Sequence, residues 1–371
     1  MTGAVPRTVR SVRAGLATAV LMLAALVSHA DAPGVPAVEV LHFNLERPDI
    51  AAFVQRLVER DHLPQAEVLA ILGAAKPRPE LVPAMTRPAE KTLAWWEYRA
   101  RYVTAARVST GAEFWRQHGP ALDAVAQRFG VAPEYLIAIL GIETNYGQVT
   151  GNYPEIDTLM TLAFDYPARD AYFRTELRQF LLLSRDLAVD PLALKGSYGG
   201  ALGVPQLMPS SYRQFAASAD ARHKANLWTD WSLIFESVAE FLIKRGWERD
   251  GPVLADVVTA GGKPVADSGG IKLNETVDAL RHRGVRVDRR IAGATRAVLI
   301  RAALKDRNQY RVGFSNFRVI SRYNPRLNYA MAVCDLASEV RAAHALPAAA
   351  VSAPAVAPPA TTPAKLPAAD R

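Results

Sequence analysis

The spacing of apolar residues predicts a mainly helical chain between about residues 47 and 250. In several segments apolar side chains recur every three or four positions, which places them on one face of an α-helix. These segments are 49–60, 111–129, 170–187 and 233–245. A further segment, 133–146, opens with a proline and is followed by Gly147, which is typical of helix starts and ends. We therefore expect amphipathic helices to form most of the core.

The pattern changes after residue 250. Residues 251–313 contain short β-branched runs broken by Gly and Pro, which predict a small strand-containing insertion. The run Phe-Arg-Val-Ile-Ser at 317–321 predicts one more strand, and 328–340 predicts a closing helix. Residues 346–371 are dominated by Ala and Pro, which predicts a disordered, partly extended tail. The chain as a whole is predicted to be α+β, mainly α.

The first 30 residues have the three parts of a secretory signal peptide. Three arginines precede an apolar run at 14–27, and Ser28-His29-Ala30 follows it as a small-residue cleavage site. The apolar run is short for a membrane span. We expect a cleaved signal and a soluble periplasmic protein, not a lipid-anchored one, because no Cys stands at the cleavage point. A retained N-terminal membrane anchor is the alternative.

Composition excludes several classes of protein. Half of the residues are apolar and 22% are charged, so the chain can bury a core and is not globally disordered. Its single cysteine, Cys334, excludes an intramolecular disulfide framework and a multi-cysteine zinc site. The net charge of +8 is modest and cations interleave with acids, which argues against nucleic-acid binding. Phosphate-loop, dinucleotide and zinc-protease motifs are missing from the sequence, so we predict no cofactor and no metal.

The first candidate for chemistry is Glu143. The apolar stripe formed by Leu136, Ile137 and Leu140 reaches Glu143 when it is continued along segment 133–146. A carboxyl on this stripe, in the last turn, is partly desolvated and close to the negative end of the helix dipole. Both effects raise a carboxyl pKa, as a general acid requires. The alternative is a glutamate that turns to solvent or pairs with an arginine.

The second candidate is the glycine-rich segment 195–213. Its glycines let the backbone approach a ligand closely. Ser197 and Gln206 add neutral hydrogen-bonding groups, and Met208 adds an apolar contact. Neutral polar groups beside apolar platforms suit a carbohydrate better than a phosphate. A plain loop between helices is the alternative.

Together, these two segments resemble a known family. The sequence Ile-Glu-Thr-Asn-Tyr-Gly at 142–147, followed by G-x-x-G-x-x-Q-x-M-P-S-S at 200–211, is similar to the lytic transglycosylases that cleave peptidoglycan. Further motifs at 161–177, 232–247 and 316–333 resemble the membrane-bound lytic murein transglycosylase B branch. The resemblance extends over roughly residues 36–342.

The resemblance implies a fold and a set of site residues. It implies a lysozyme-like helical core, with a helical N-terminal domain and a small β-containing insertion. The expected divisions are 1–30 (signal), 31–250 (helical domain and core), 251–313 (β-containing domain), 314–345 (end of the core) and 346–371 (tail). It also implies Glu143 as the catalytic carboxyl. The substrate-binding residues that it implies are Ser197, Gln206, Met208, Asn316 and Tyr323.

The implied reaction needs one carboxyl. Glu143 would protonate the bond between N-acetylmuramic acid (MurNAc) and N-acetylglucosamine (GlcNAc), with help from the substrate's acetamido group. It would then act as a base to form a 1,6-anhydromuramoyl product. The expected partners are peptidoglycan glycan strands and complexes of cell-wall enzymes, and the chain itself is expected to be a monomer.

Two other functions stay open at this point. A goose-type-lysozyme-like muramidase would hydrolyse the same bond and would need a second acid near the site. Asp157, Asp165 and Asp170 are the candidates for that acid. A catalytically silent peptidoglycan-binding protein is the other alternative, although an intact Glu143 within a complete motif argues against it.

A final expectation concerns calcium. Some relatives carry a calcium loop like an EF-hand just after the Met-Pro-Ser-Ser segment, and the matching stretch here is 218–229. One carboxylate, Asp220, stands among its ligand positions, and Arg222 places a cation where an acid belongs. We predict no divalent-metal site in this loop.

Overall fold

The computed structural model describes residues 42–86, 93–216 and 226–347. The predictions for the signal peptide 1–30, for nearly all of the tail 346–371 and for most of the loop 218–229 lie outside these residues.

The described residues are mainly helical, with two small sheets, so the predicted mainly-α α+β class is confirmed. The helices are α1 (Pro48–Asp61), α2 (Gln65–Ala74), α3 (Leu81–Thr86), α4 (Trp95–Tyr102), α5 (Ala105–Phe129), α6 (Pro133–Thr144), α7 (Glu155–Phe164), α8 (Asp170–Leu187), α9 (Pro209–Phe215), α10 (Trp231–Lys244), α11 (Val277–His282), α12 (Ser315–Ile320) and α13 (Leu327–His344). Helices were thus correctly predicted at the four amphipathic segments and at 133–146.

The core is built around α6, which is apolar on all sides. Every residue from Leu136 to Ile142 is buried, because α5 and α13 pack against this helix. Thr104 caps the start of α5 by accepting a hydrogen bond from the amide of Arg107 (3.1 Å), and Gly130 ends that helix with φ of 70°. Only three residues then separate α5 from α6, which brings the two helices into direct contact.

The strands form two antiparallel sheets. A two-stranded ribbon joins β1 (Tyr153–Pro154) to β2 (Lys195–Gly196). The larger sheet has the order β4-β6-β7-β3-β5, and its strands are β3 (Leu254–Thr259), β4 (Glu275–Thr276), β5 (Val285–Arg286), β6 (Arg296–Ala303) and β7 (Asn308–Gly313). One face of this sheet packs with α11 around a small apolar core of its own. The β-rich segment therefore lies between α10 and α12 in sequence.

The predicted strand at 317–321 is wrong, because these residues belong to α12 and its C-terminal cap. Phe317 and Ile320 are buried three positions apart, and Ser321 donates its amide to the carbonyl of Phe317. A short apolar run has no distinctive period, so it fits a buried helical turn as well as a strand. The predicted closing helix is confirmed as α13.

Among the described residues, no single helix has both the length and the apolar composition of a membrane span, although the pair α5 and α6, bent by 115°, meets the two criteria jointly.

Candidate active site

Glu143 lies in the last turn of α6 and is half-buried. The helix begins at Pro133 as predicted, but it ends at Thr144, two residues earlier than the sequence pattern indicated. Asn145 adopts a left-handed conformation (φ 49°) and caps the helix in place of Gly147. The chain therefore turns away directly after Glu143 and leaves its carboxyl at the helix end.

A buried tyrosine holds the Glu143 carboxyl. The hydroxyl of Tyr329, at the start of α13, donates a hydrogen bond to Oε1 of Glu143 over 2.6 Å. Tyr329 is 1% exposed, and burial together with the negative charge of Glu143 raises its pKa well above the ordinary value. The phenol therefore stays protonated and serves as a donor. We did not assign Tyr329 from the sequence, although it lies in the 316–333 motif that carried the family resemblance.

The turn after Glu143 is locked by Tyr146. Its ring folds back between α5 and α6, and its hydroxyl donates to the carbonyl of Arg107 over 2.8 Å. Gly141 makes this packing possible, since a Cβ atom there would lie 2.7 Å from the Tyr146 ring. Tyr146 has a φ of 60°, a conformation that non-glycine residues rarely adopt. Packing thus imposes the turn that presents Glu143.

Thr144 connects the end of α6 to the glycine-rich segment. Its hydroxyl lies 2.9 Å from the carbonyl of Val204 and also accepts the amide of Gly147 over 3.0 Å. The side chain is buried, so this contact is shielded from water. The structure therefore brings the two sequence motifs, the helix end and the glycine-rich loop, directly together.

The glycine-rich loop is ordered by its own polar groups. Ser197 is half-buried and accepts the amide of Ala201 at its hydroxyl (3.0 Å). Gln206, also half-buried, donates from its amide nitrogen to the carbonyls of Thr150 (3.0 Å) and Gly203 (2.9 Å). These bonds leave the Gln206 carbonyl oxygen as a hydrogen-bond acceptor. Met208, half-buried, packs against the core where α9 begins.

The start of α9 is fixed by a buried acid on α8. Glu176 accepts both the amide (2.9 Å) and the hydroxyl (2.7 Å) of Ser210. Burial raises the pKa of Glu176, while the two bonds from Ser210 oppose that shift. Helix α9 begins at Pro209, and Glu176 explains why Ser follows this proline.

Tyr323 lies close to the same loop. Its hydroxyl donates to the carbonyl of Pro205 over 2.5 Å, and its ring packs on Phe241 with a centroid separation of 4.7 Å. Burial and the negative charge of Glu143 raise the pKa of Tyr323 well above its ordinary value. Tyr323 therefore lies close to both the glycine-rich loop and Glu143.

Asn316 does not fit the sugar-binding role that we predicted for it. It is fully buried, and its amide donates to the carbonyls of Glu248 (2.8 Å) and Gly251 (3.1 Å). Its carbonyl oxygen accepts the amide of Glu248 over 2.8 Å. These hydrogen bonds connect the start of α12 to the loop after α10. We therefore correct the role of Asn316 from sugar contact to structural support.

Replacing Asn316 with alanine tests this correction. The variant leaves three backbone groups without their partner, at a cost of about 1–3 kcal/mol for each buried group that stays unsatisfied. We expect a fall in Tm of roughly 5 °C or more in a thermal melt. The KM of the folded enzyme for glycan should stay close to that of the wild type. A raised KM at an unchanged Tm would restore Asn316 to the sugar-binding set.

The three aspartates that are candidates for the second acid of a hydrolytic mechanism each form an ion pair with an arginine. Asp157 pairs with Arg78 (2.9 Å), Asp165 with Arg47 (2.8 Å) and Asp170 with Arg174 (3.1 Å). These pairs tie α7 and α8 to the N-terminal helices or stabilise α8 itself. Each of these three carboxylates is thus engaged in an ion pair of the fold.

A groove of about 610 Å³ borders the turn that follows Glu143. Its walls combine aromatic rings with neutral polar groups and one pair of opposite charges. They are formed by Ser109, Thr110, Glu113, Phe114, Arg116, Gln117, His118, Tyr146, Gln148 and Trp231. Burial lowers the pKa of His118, so this ring is neutral at physiological pH. The groove thus combines aromatic and neutral polar groups with the Glu113–Arg116 ion pair.

In the described part of the chain, no three His, Cys, Asp or Glu side chains cluster in a way that would hold a metal ion.

Comparison with known proteins identifies a family. Residues 46–338 match the family described as the transglycosylase SLT domain. The chain is 35% identical over 302 residues to membrane-bound lytic murein transglycosylase B of Escherichia coli K12, a match that covers 79% of this chain and 82% of that protein.

Solved structures share the lysozyme-like fold. The Escherichia coli lytic transglycosylase Slt35 in complex with calcium superposes with a TM-score of 0.74 at 34% identity, over 82% of this chain and 96% of that one. SltB3 from Pseudomonas aeruginosa, in complex with NAG-NAM-pentapeptide, has a TM-score of 0.67 at 25% identity, over 78% of both chains.

Proposed function

The chain belongs to the lytic murein transglycosylases, and from this premise we propose that it cleaves the MurNAc-β-1,4-GlcNAc bond of peptidoglycan and leaves a 1,6-anhydromuramoyl end. The observation that carries the proposal is the carboxyl of Glu143, held at a helix end by Tyr329 beside the glycine-rich loop. The proposed reaction uses this one carboxyl and consumes no water, so it needs no second acid to activate a water molecule.

In the first step Glu143 acts as the acid. We assign the proton that reaches the substrate to the carboxyl of Glu143, whose Oε1 accepts the hydrogen bond from Tyr329. Glu143 gives its proton to the bridging oxygen as the bond from that oxygen to C1 of MurNAc breaks. The substrate's own acetamido oxygen then bonds to C1 and takes up the positive charge, the task that a second carboxylate performs in retaining glycosidases.

In the second step Glu143 acts as the base. Its carboxylate removes the proton from the 6-hydroxyl of MurNAc, and that oxygen attacks C1 and displaces the acetamido oxygen. The proton returns to Glu143, so the enzyme is restored and no water is consumed. The hydrogen bond from Tyr329 stabilises the carboxylate form between the two steps.

We assign the glycan contacts to neutral groups beside Glu143. Ser197, Gln206, Met208 and Tyr323 lie in or against the glycine-rich loop, which Thr144 joins to the end of α6. Neutral donors and acceptors orient sugar hydroxyls and acetamido groups without fixing the charge of Glu143. The adjoining groove offers further polar and aromatic surface for a longer strand.

The products of sacculus digestion test the proposal. Purified sacculi are digested with the protein, and the muropeptides are weighed beside a digest made with a hydrolytic muramidase. We expect products that are lighter than the hydrolytic ones by one water. Products with the hydrolytic mass would favour a goose-type muramidase, and intact sacculi would favour a silent binding protein.

The substrate also suggests where the enzyme acts. Peptidoglycan lies outside the cytoplasmic membrane, and we propose a periplasmic location that agrees with the signal-peptide pattern of residues 1–30. Pull-down from detergent extracts tests whether other cell-wall enzymes bind the chain.

Calcium is not expected to bind this chain, although Slt35 was crystallised with calcium. The corresponding stretch 218–229, most of which lies outside the described residues, has Arg222 at a ligand position and Thr229 in place of the final acid. A calorimetric titration with millimolar calcium should therefore show no saturable heat, and Tm should not rise. Saturable stabilisation by calcium would contradict this prediction.

A further inference from the structure

Glu155 is a fully buried acid beneath the glycine-rich loop. It is the first residue of α7, directly after β1, and its amide donates to the carbonyl of Leu194 over 2.9 Å. This bond and the pairing of β1 with β2 bring Glu155 under the start of the loop. The sequence motifs did not identify Glu155 as a candidate functional residue.

The Glu155 carboxyl lies against the loop backbone. A Cβ atom added to Gly200 would lie 3.2 Å from Oε1 of Glu155 and 2.7 Å from Cδ2 of Leu159. At Gly196 a Cβ atom would collide with Oε2 of Glu155. Glycine at these two positions therefore leaves room for the carboxyl, and the loop rests on it.

Glu155 has no compensating partner in the described part of the chain. Neither of its oxygens makes a hydrogen bond there. Asp157, two residues later, is also buried, but it pairs with Arg78 and accepts the amide of Lys76. A carboxylate buried without a partner is strongly unfavourable, so such a group is normally neutral.

The charged groups around Glu155 favour its neutral form. Glu176 faces it from α8, and Lys195 of β2, the cation next to the loop, is exposed. The loop itself contributes glycine backbone. Burial, followed by the negative charge of Glu176, raises the pKa of Glu155 well above the ordinary value of 4.5.

We propose that Glu155 is a positioning residue for glycan binding. As a neutral acid it supports the loop 196–206. When Glu155 ionises, the loop is displaced and the affinity for the glycan falls. The proposal rests on the proposed function for the identity of the ligand. A displacement at Gly196 and Gly200 would also move the rest of the loop 196–206. Hydrogen bonds between Ser197 and Ala201 and between Leu202 and Leu207 connect these parts of the loop.

The direction of the pH effect follows from the raised pKa. Below about 4.5 the carboxyl is neutral in both the folded and the unfolded chain, so its burial carries no ionisation penalty. As the pH rises above this value the unfolded chain ionises first, and folded stability falls until the buried group ionises too. The variant Glu155→Gln is neutral at every pH and should therefore become progressively more stable than the wild type as the pH increases.

Hydrogen exchange on the protein alone tests the loop directly. Protection factors, which correct for the intrinsic pH dependence of exchange, are measured for peptides covering 196–206 between about pH 5 and pH 9. We expect wild-type protection in this loop to fall at least tenfold across the range, and protection in Glu155→Gln to stay constant. Equal falls in both proteins, or no fall in the wild type, would overturn the proposal.

A binding assay then links the loop to the glycan. Sacculus pull-down is carried out with Glu143→Gln and with Glu143→Gln/Glu155→Gln, so that no cleavage and no ionisation of Glu143 intervene. We expect affinity to fall with rising pH only where Glu155 is intact. Asp157→Asn in the same Glu143→Gln background is the matched control, and it should keep the pH dependence despite losing its ion pair.

The two proposals fail in different ways. A Glu143→Gln protein that binds no sacculi at any pH would contradict the proposed substrate and leave the exchange result to decide on Glu155. Binding whose pH dependence persists in the double variant would contradict the role of Glu155 and leave the function standing.

Discussion

Replacing Glu143 with glutamine is expected to abolish cleavage of peptidoglycan while the fold stays intact. Glutamine keeps the shape of the side chain and can still accept the hydrogen bond from Tyr329, but it cannot give up and regain a proton. Loss of a general acid alone costs about 10²–10⁴-fold in rate. The loss should be larger here, because the same group is also the base.

The measurement is the rate of muropeptide release, together with a melting curve. Glu134→Gln is the matched control, since Glu134 lies at the other end of α6, where it is buried and paired with Arg341 (3.2 Å). This control should retain activity although it loses an ion pair. Activity close to wild type in Glu143→Gln, at an unchanged Tm, would refute the catalytic role of Glu143.

Local patterns predicted the helices well, including α6, which carries Glu143. The stripe through Leu136, Ile137 and Leu140 placed Glu143 correctly on α6, because helical spacing is a local property. The glycine-rich segment was also correctly connected with the site, through the resemblance between motifs. In each of these cases the residues that determine the prediction lie within about twenty consecutive positions.

The errors and omissions arise where distant segments meet. Phe317 and Ile320 fit a strand or a helix equally well, and only their packing decides for α12. Asn316 is polar and lies in a family motif, but its burial depends on the loop after α10. Tyr329 is bonded to Glu143, 186 positions away, and Glu155 lies against two glycines of a separate loop. Sequence spacing carries no information on such contacts.

Tyr329→Phe is the second change for which we expect a large effect. The ring should keep its buried position, but Oε1 of Glu143 loses the donor that lies 2.6 Å away. A hydrogen bond to a charged group contributes about 1.5–3 kcal/mol, so we expect kcat to fall about 10- to 100-fold. KM should change little, because the hydroxyl is bonded to Glu143 and not to the sugar-binding loop.

The pH–rate profile separates positioning from mere structural support. Without the phenol donor the carboxylate form of Glu143 is less favoured, so activity in Tyr329→Phe should persist to higher pH than in the wild type, at its lower level. Tyr212→Phe is the matched control, because Tyr212 is equally buried and its hydroxyl accepts the amide of Leu227 (3.2 Å). This control should leave the profile unshifted. A Tyr329→Phe enzyme with a wild-type kcat, or with a lower kcat and an unshifted profile, would show that Tyr329 supports packing alone and that Glu143 is oriented by other contacts.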